Sequence, residues 1–444
     1  MRIAAYREYY EINVPWIGSI PSQWSVAPMF SVVAERREPN IGMKEDNLLS
    51  LSYGNIVKKD MTSNDGLLPQ SFETYQVVHE DDIVLRLTDL QNDKRSLRSA
   101  RVRERGIITS AYLAIRPFGV SPSFLNYLLR SYDQSKVLYS MGGGLRQSMK
   151  YSDVKWLPLV LPPLPEQTAI ATFLDRETAK IDALVNEQKR LIELLKEKRQ
   201  AVISHAVTKG LDPNVKMKPS GVEWLGDVPE HWEVVRLRFI TTLNPTKSEL
   251  GEQEDDTEVP FLPMDHIGDD GSIVIGNYRP LSEVRTGYTY FREDDVVIAK
   301  ITPCFENGKG AIVRGLAVGF GFGTTELIVV RSRLNCITPD FLGLIFSSTE
   351  FRRIGEGHMY GAGGQKRVPD DFVRNFTLGV PPVNEQNDIC KKIKIDLYQL
   401  DELIDNATHA ISLMGERRSA LISAAVTGKI DLREWVSDQQ TAAE

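Results

Sequence analysis

With 444 residues, 42% of them hydrophobic and 25% charged, the chain has the make-up of an ordinary globular protein of two to four domains. A net charge of −7 excludes a generic polyanion binder; residues 226–378 alone carry −7, so any nucleic-acid function must rest on local basic patches and base readout. No apolar run approaches the ~18 residues of a membrane helix, and the first residues are too polar for a signal peptide. Cys304, Cys336 and Cys390 have neither metal nor CxxC spacing, so the sequence predicts a cytoplasmic protein with reduced thiols and no membrane partner.

In chain order, the first marked feature is Trp16-Ile17-Gly18-Ser19-Ile20-Pro21-Ser22-Gln23-Trp24, which recurs 208 residues later as Trp224-Leu225-Gly226-Asp227-Val228-Pro229-Glu230-His231-Trp232. A period of half the chain is a tandem domain duplication. Further matches follow in order. Glu80-Asp81-Asp82-Ile83-Val84 returns as Glu293-Asp294-Asp295-Val296-Val297 at offset 213, and Arg116 as Arg331 at 215. Ser121-Pro122-Ser123-Phe124-Leu125 returns as Thr338-Pro339-Asp340-Phe341-Leu342 at 217, and Pro162-Pro163-Leu164-Pro165-Glu166-Gln167 as Pro381-Pro382-Val383-Asn384-Glu385-Gln386 at 219. In each copy, short β-type runs between Gly- and Asn-rich turns precede a helical stretch such as 122–132, which reads as a compact α+β domain.

After each Pro-Pro-x-x-Glu-Gln motif the pattern becomes helical. Pro165 and Glu166 suit a first turn, helical character runs to about Val207, and Gly210 and Gly428 end the two copies. Some 40 residues predict a rod of roughly 60 Å. Leu174, Ile181, Gln188, Leu195 and Val202 are spaced by seven, and adding 219 gives Ile393, Leu400, Ala407, Met414 and Leu421 in the same heptad frame. The companion row suggested by spacing is Ile170, Glu177, Leu184, Leu191 and Lys198, with Ile389, Asp396, Leu403, Ala410 and Arg417 in the second copy. Two such helices in one register predict a coiled-coil seam. Because a compact domain has its chain ends close together, the second helix must run back along the first, antiparallel, with a globular domain at each end. The fold class expected is therefore α+β, duplicated, with an antiparallel coiled coil. Its segments are a first globular domain (1–157), first long helix (158–212), second globular domain (213–376), second long helix (377–433) and C-terminal tail (434–444).

Catalytic motifs are missing. Phe320-Gly321-Phe322-Gly323 resembles a methyl-donor loop, but no Asn/Asp-Pro-Pro-Tyr/Phe tetrapeptide accompanies it, and it reads as a glycine-rich turn before a strand at 326–331. No phosphate-binding GxxxxGK[ST] exists, and the six histidines do not cluster as metal ligands. Two basic regions suit nucleic acid instead. Residues 86–105 hold Arg86, Lys94, Arg95, Arg98, Arg101, Arg103 and Arg105, with Lys300, Lys309 and Arg314 in the second copy. The more specific region is a pair of Gly-rich loops, with Arg146, Gln147 and Lys150 in the first copy and Gln365, Lys366 and Arg367 in the second. Glycine lets backbone approach a surface closely, and Gln and Arg read adenine and guanine edges bidentately. Arg86, Lys300 and the six loop residues are the candidate DNA contacts.

Taken as one ordered, duplicated set, the Trp-x-Gly-x-x-Pro-x-x-Trp signatures, the Pro-Pro-x-x-Glu-Gln signatures and the helix endings Ile203-Ser204-His205-Ala206-Val207-Thr208 and Ile422-Ser423-Ala424-Ala425-Val426-Thr427 resemble the specificity subunit of type I restriction–modification systems. The resemblance implies two target-recognition domains that each read half of a bipartite double-stranded DNA site, helices that set the spacer, and no catalysis in this chain. It also implies two methyltransferase subunits carrying S-adenosylmethionine, and restriction subunits using ATP and Mg. The competing classes are a scaffold without DNA contact, favoured by the acidic charge, and a single-chain DNA methylase or nuclease, disfavoured by the missing motifs.

Overall fold

The structure is a computed structural model, and it describes residues 4–60, 69, 71–89, 97–141, 148–251, 253–362 and 364–435. Two compact units divide the chain. One comprises Met1–Gln188 with His409–Glu444, the other Lys189–Thr408. Each unit takes one globular domain and half of each long helix. The long helices are Leu164–Lys209 and Val383–Val426, of 46 and 44 residues, close to 70 Å of rise apiece, about 10 Å more than spacing suggested.

In the first unit, a hairpin pairs Tyr9–Glu11 with Ser19–Pro21, and a ribbon pairs Ser25–Pro28 with Pro158–Leu161. The main sheet has the order 33–35, 113–117, 83–85, 99–101, all antiparallel. Ile83, Val84 and Leu85 are buried on both faces, which explains their unbroken apolar run. The helix Pro122–Gln134 covers this sheet; the Ser121 hydroxyl caps it by accepting from Phe124 N, and Pro122 occupies the first turn.

The second unit repeats the plan. Met217–Pro219 pairs with Asp227–Pro229, and Glu233–Arg236 with Thr377–Val380. The main sheet runs 241–243, 327–332, 296–299, 310–312, again antiparallel. Thr338 caps the helix Pro339–Ser347 as Ser121 caps its counterpart. A second four-stranded sheet is ordered 278–280, 258–262, 320–323, 289–292. Phe320–Gly323 lies inside it, fully buried, parallel to 261–262 and antiparallel to 289–292. The glycine-rich turn expected there is a central strand, and its glycines serve packing: a Cβ on Gly321 would come within 2.7 Å of the Phe291 ring.

Within the first unit, Ile170, Phe173 and Leu174 of the first long helix share a core with Ile422, Ala425 and Val426 of the second, and further along Asp182 pairs with Arg418 at 3.2 Å. Residue numbers rise on one helix as they fall on the other, so the halves are antiparallel. The second unit does the same with Ile203, Ala206 and Val207 against Ile389 and Ile393, and Arg199 pairs with Asp401 at 3.4 Å. The two ion pairs exchange under the 219 offset.

Leu174, Ile181, Leu195, Ile393, Leu400 and Ala407 are buried; Gln188, Val202, Met414 and Leu421 are half-buried. The companion row is where the structure departs from the spacing. Leu184, Leu191 and Leu403 are 52%, 42% and 51% exposed, and Lys198 and Arg417 also face out. The row four residues on from the seam, Thr178, Val185, Ile192, Arg199 and Leu397, Ile404, Ile411, Arg418, is buried or half-buried instead. Among the described residues, no helix is long and apolar enough to cross a membrane.

Candidate nucleic-acid interface

The duplicated tryptophans hold a structural junction. Trp24 Nε1 donates to Glu166 Oε1 at 3.1 Å, and Trp232 Nε1 to Glu385 Oε1 at 3.0 Å. Trp24 is 3% exposed and Trp232 is fully buried, so both belong to the core and offer no face to a partner. The next residue ties helix to domain. Gln167 Oε1 accepts from Ser121 N and Gln386 Oε1 from Thr338 N, both at 2.8 Å, while their amides donate to Pro162 O and Pro381 O. Pro-Pro-x-x-Glu-Gln is therefore a bracket: Glu holds the signature tryptophan, and Gln holds the cap of the domain helix. The opposite long helix ends on the same spot. Gly210, at φ +76°, abuts Trp232 and Glu385; Gly428, at φ +73°, abuts Pro21 and Trp24. Only glycine combines that φ with so close an approach.

In the second unit, Tyr360 and Arg367 exchange backbone hydrogen bonds, 3.1 and 2.9 Å, and close a hairpin. The strand extension fixes it through Thr302 N to Lys366 O (2.9 Å) and Val368 N to Lys300 O (2.8 Å). Gly361 sits at φ +139°, where a side chain would collide with Gln365 O. Gln365 and Lys366 are exposed at the tip. Arg367 turns inward instead, and its Nε and Nη2 reach Glu326 at 2.9 and 2.7 Å. The hydrogen bond from Arg367 holds the Glu326 carboxyl below its ordinary value of 4.5, against the opposing effect of burial, and Lys300 adds to the lowering. Arg367 thus pins the hairpin, and half-buried Lys300 faces the pinning carboxylate. Tyr360, 66% exposed beside the tip, is a further candidate contact that glycine and charge alone do not single out; its position in Tyr-Gly-Ala-Gly was the available signal.

The first unit carries the same anchor. Met149 N donates to Leu87 O at 2.9 Å, the counterpart of Val368 to Lys300 at offsets 219 and 213. Arg146 and Gln147 lie outside the described residues. Lys150 is exposed, and its N–H donates to Asp153 Oδ2 at 2.8 Å, starting the short helix Tyr151–Val154.

The arginine-rich stretch 86–105 is largely consumed internally. Arg98 is wholly buried and donates to the carbonyls of Arg86, Thr88 and Asp89. Arg101 pairs with Asp81 and Arg105 with Glu45. Arg103 is exposed, Arg86 is half-buried and engaged, and Lys94 and Arg95 lie outside the described residues. Two buried carboxylates stand just before the central strands 83–85 and 296–299, at the ends away from the loop anchors Leu87 and Lys300. Asp82 takes two hydrogen bonds of 2.9 Å from Arg36, and Asp295 two of 2.7 Å from Arg331. The repeat in sequence aligns Arg331 with Arg116, but Arg36 fills its place in the first unit.

This duplicated α+β plan with two long helices is similar in fold to solved chains from type I restriction–modification systems. A chain solved in work on complex assembly and conformational transition of the type I R-M system matches with a TM-score of 0.62 over 93% of this chain and 99% of that one, at 16% identity. The crystal structure of the HsdS subunit from Thermoanaerobacter tengcongensis gives 0.51 over 93% and 98%, also at 16% identity. Among curated proteins, the type I restriction enzyme EcoAI specificity subunit of Escherichia coli is 41% identical over 181 residues, 40% of this chain and 29% of that protein. The EcoEI specificity subunit, also of Escherichia coli, is 37% identical over 179 residues, 40% of this chain and 30% of that protein. The chain thus spans under a third of the length of these two relatives. The putative MjaX specificity subunit of Methanocaldococcus jannaschii is 23% identical over 441 residues, 94% of this chain and 96% of that protein. No family model matches the chain. These likenesses are to type I restriction enzyme specificity subunits.

Proposed function

We propose that this chain is the DNA sequence-specificity subunit of a type I restriction–modification complex, supplying recognition and no catalysis. Each globular domain reads one half of a bipartite double-stranded site through its Gly-rich loop, by hydrogen bonds to base edges in the major groove. The long helices set the spacer between the halves. They also bind two methyltransferase subunits, which carry S-adenosylmethionine, and restriction subunits join with ATP and Mg. Partner subunits supply much of the phosphate contact, which accommodates the acidity of residues 226–378. Exposed apolar residues on the helices support a protein partner: Leu184 and Leu413 in the first unit, and Leu191, Leu194, Tyr398 and Leu403 in the second.

The observation that carries the reading is the hairpin 360–367, braced from behind by Glu326 and Thr302 so that Gln365 and Lys366 project, with the same backbone anchor repeated at Met149–Leu87. The test is the double variant Gln365→Ala/Lys366→Ala in the assembled complex, with binding measured on duplexes mutated in either half-site. Wild type is sensitive to changes in both halves. The variant should become indifferent to the base pairs of one half, at about 1–3 kcal/mol per lost contact, and remain sensitive in the other. Equal loss of discrimination in both halves would overturn the assignment.

A further inference from the structure

Each unit has a cleft between its domain helix and its pair of long-helix halves. The clefts occupy matching positions, and each has a guanidinium that, among the described residues, forms no ion pair. In the first unit the cleft holds about 420 Å³ and is bordered by Arg130 and Arg418, by Arg101 and Arg103, and by Asp175 and Asp182. In the second it holds about 390 Å³ and is bordered by Arg352, Asp401 and Arg199, with a wall of Ile203, Phe305 and Phe351. Arg130 is 6% exposed. Its Nη2 donates to Gly54 O at 2.5 Å, and its Nε is buried without a partner. Arg352 donates to Gln200 Oε1 at 2.7 Å, and its Nε is likewise buried and unsatisfied.

Among the described residues, neither Arg130 nor Arg352 forms an ion pair, whereas the neighbouring Arg418 and Arg199 are already held by Asp182 and Asp401. Burial pushes both guanidiniums below their ordinary value, and the positive neighbour, Arg418 or Arg199, pushes further, against the weaker attraction of Asp182 and Asp133 in one cleft and of Asp269 and Glu350 in the other. A desolvated cation beside a second cation is costly in a free chain. That the arrangement occurs in both copies, on side chains that do not align in sequence, points to a common use.

We propose that Arg130 and Arg352 are the charged ends of two equivalent docking clefts, each of which receives a single carboxylate side chain from a protein partner. The charge selects the occupant. One unpaired guanidinium matches one carboxylate, and the planar fork is built for it. Duplex DNA is too broad to enter a cleft of about 420 or 390 Å³, and each cleft also carries carboxylates that a phosphate would meet, Asp175 and Asp182 in one, Asp269, Asp270, Asp340 and Asp401 in the other. Exposed Tyr398 continues the apolar wall of the second cleft to the surface, as fits a residue carried on a polypeptide. Two matching clefts take two copies of one partner. This partner assignment rests on the reading that two methyltransferase subunits bind the chain; the carboxylate site does not.

Two measurements on the full chain test this. In the first, melting temperature is compared in potassium acetate, potassium chloride and inorganic phosphate at equal ionic strength, for wild type and for Arg130→Gln, Arg352→Gln and the double variant. Acetate should raise the wild-type melting point over chloride by a few degrees more than it raises that of the double variant, and phosphate should do less. In the second, native mass spectrometry counts methyltransferase subunits. Each single variant should weaken one of the two copies about tenfold or more, the loss of a hydrogen bond to a charged group, and Arg→Lys should restore part of it. Should a Gln variant melt early in chloride, the Lys variant carries both readouts. An Arg-dependent acetate gain with two copies still bound at full affinity would overturn the partner assignment. No Arg-dependent gain, or a larger one from phosphate, would overturn the carboxylate site. If wild type binds no methyltransferase subunit, the functional reading fails while the acetate comparison still decides the site.

Discussion

Asp82 and Asp295 are almost entirely buried, and each is matched by both arms of one guanidinium. Replacing one member of such a pair strands the other, so Asp295→Ala should cost about 3–5 kcal/mol, read as a lowered urea midpoint with an unchanged slope. A loss under about 1 kcal/mol, the scale of an exposed pair, would mean that Arg331 finds solvent or another acid; its second partner, Glu249 at 2.5 Å, is the candidate. Glu326 makes a different prediction because it is only partly covered. Its folded pKa lies below the ordinary 4.5 owing to the hydrogen bond from Arg367. Its contribution is therefore present above that ordinary value and lost as pH falls through the lower folded one. Backbone exchange protection in the hairpin 360–367, corrected for intrinsic rates, should hold at neutral pH and drop as the solution is acidified below 4.5. Arg367→Ala should abolish that step, and a step that survives the substitution would assign it to another carboxylate.

The long helices show what a heptad does and does not specify. The seam row was legible because seven-residue spacing persisted in both copies at one offset, but a companion row can lie three or four residues on. Leucines at 184, 191 and 403 favoured the first choice, and burial selects the second, Val185, Ile192 and Ile404. Apolar identity was no guide because a helix can carry a second apolar stripe for another protein. Ile181→Ala or Leu400→Ala should therefore cost about 2–4 kcal/mol in the free chain. Leu184→Ser with Leu403→Ser should leave its denaturation nearly unchanged and weaken partner binding. A comparable stability loss from both pairs would return the leucine row to the seam. The basic stretch 86–105 shows the same limit for charge. Composition counted its arginines, but only the fold shows that Arg98 bonds three carbonyls and that Arg101 and Arg105 already hold acids. The brackets were visible as repeated letters, and their purpose emerged only when Trp24 met Glu166 and Trp232 met Glu385.

For the whole molecule, the brackets determine how a change in the helices would propagate. The end of one long helix and the start of the other are fixed to the same tryptophan in each unit, through Gly428, Trp24 and Glu166 in the first and Gly210, Trp232 and Glu385 in the second. Added helix length therefore has no slack loop in which to disappear, provided that both helices grow together and the heptad is preserved. Seven residues inserted after Gln188 and seven more after Ala407 add two helical turns, about 10 Å, to each strand of the pair. At about 3.4 Å per base pair, the proposed ruler then reads a spacer longer by up to about three base pairs. Seven residues in one helix alone give a length its partner cannot match, and that variant should lose stability without a new spacer. Sequencing methylated sites in cells carrying the complex with each variant would check this. A lengthened spacer between unchanged half-sites, from the double insertion only, is the expected outcome. An unchanged spacer with methylation intact would show that the helices join the reading domains without measuring the distance between the halves of the site.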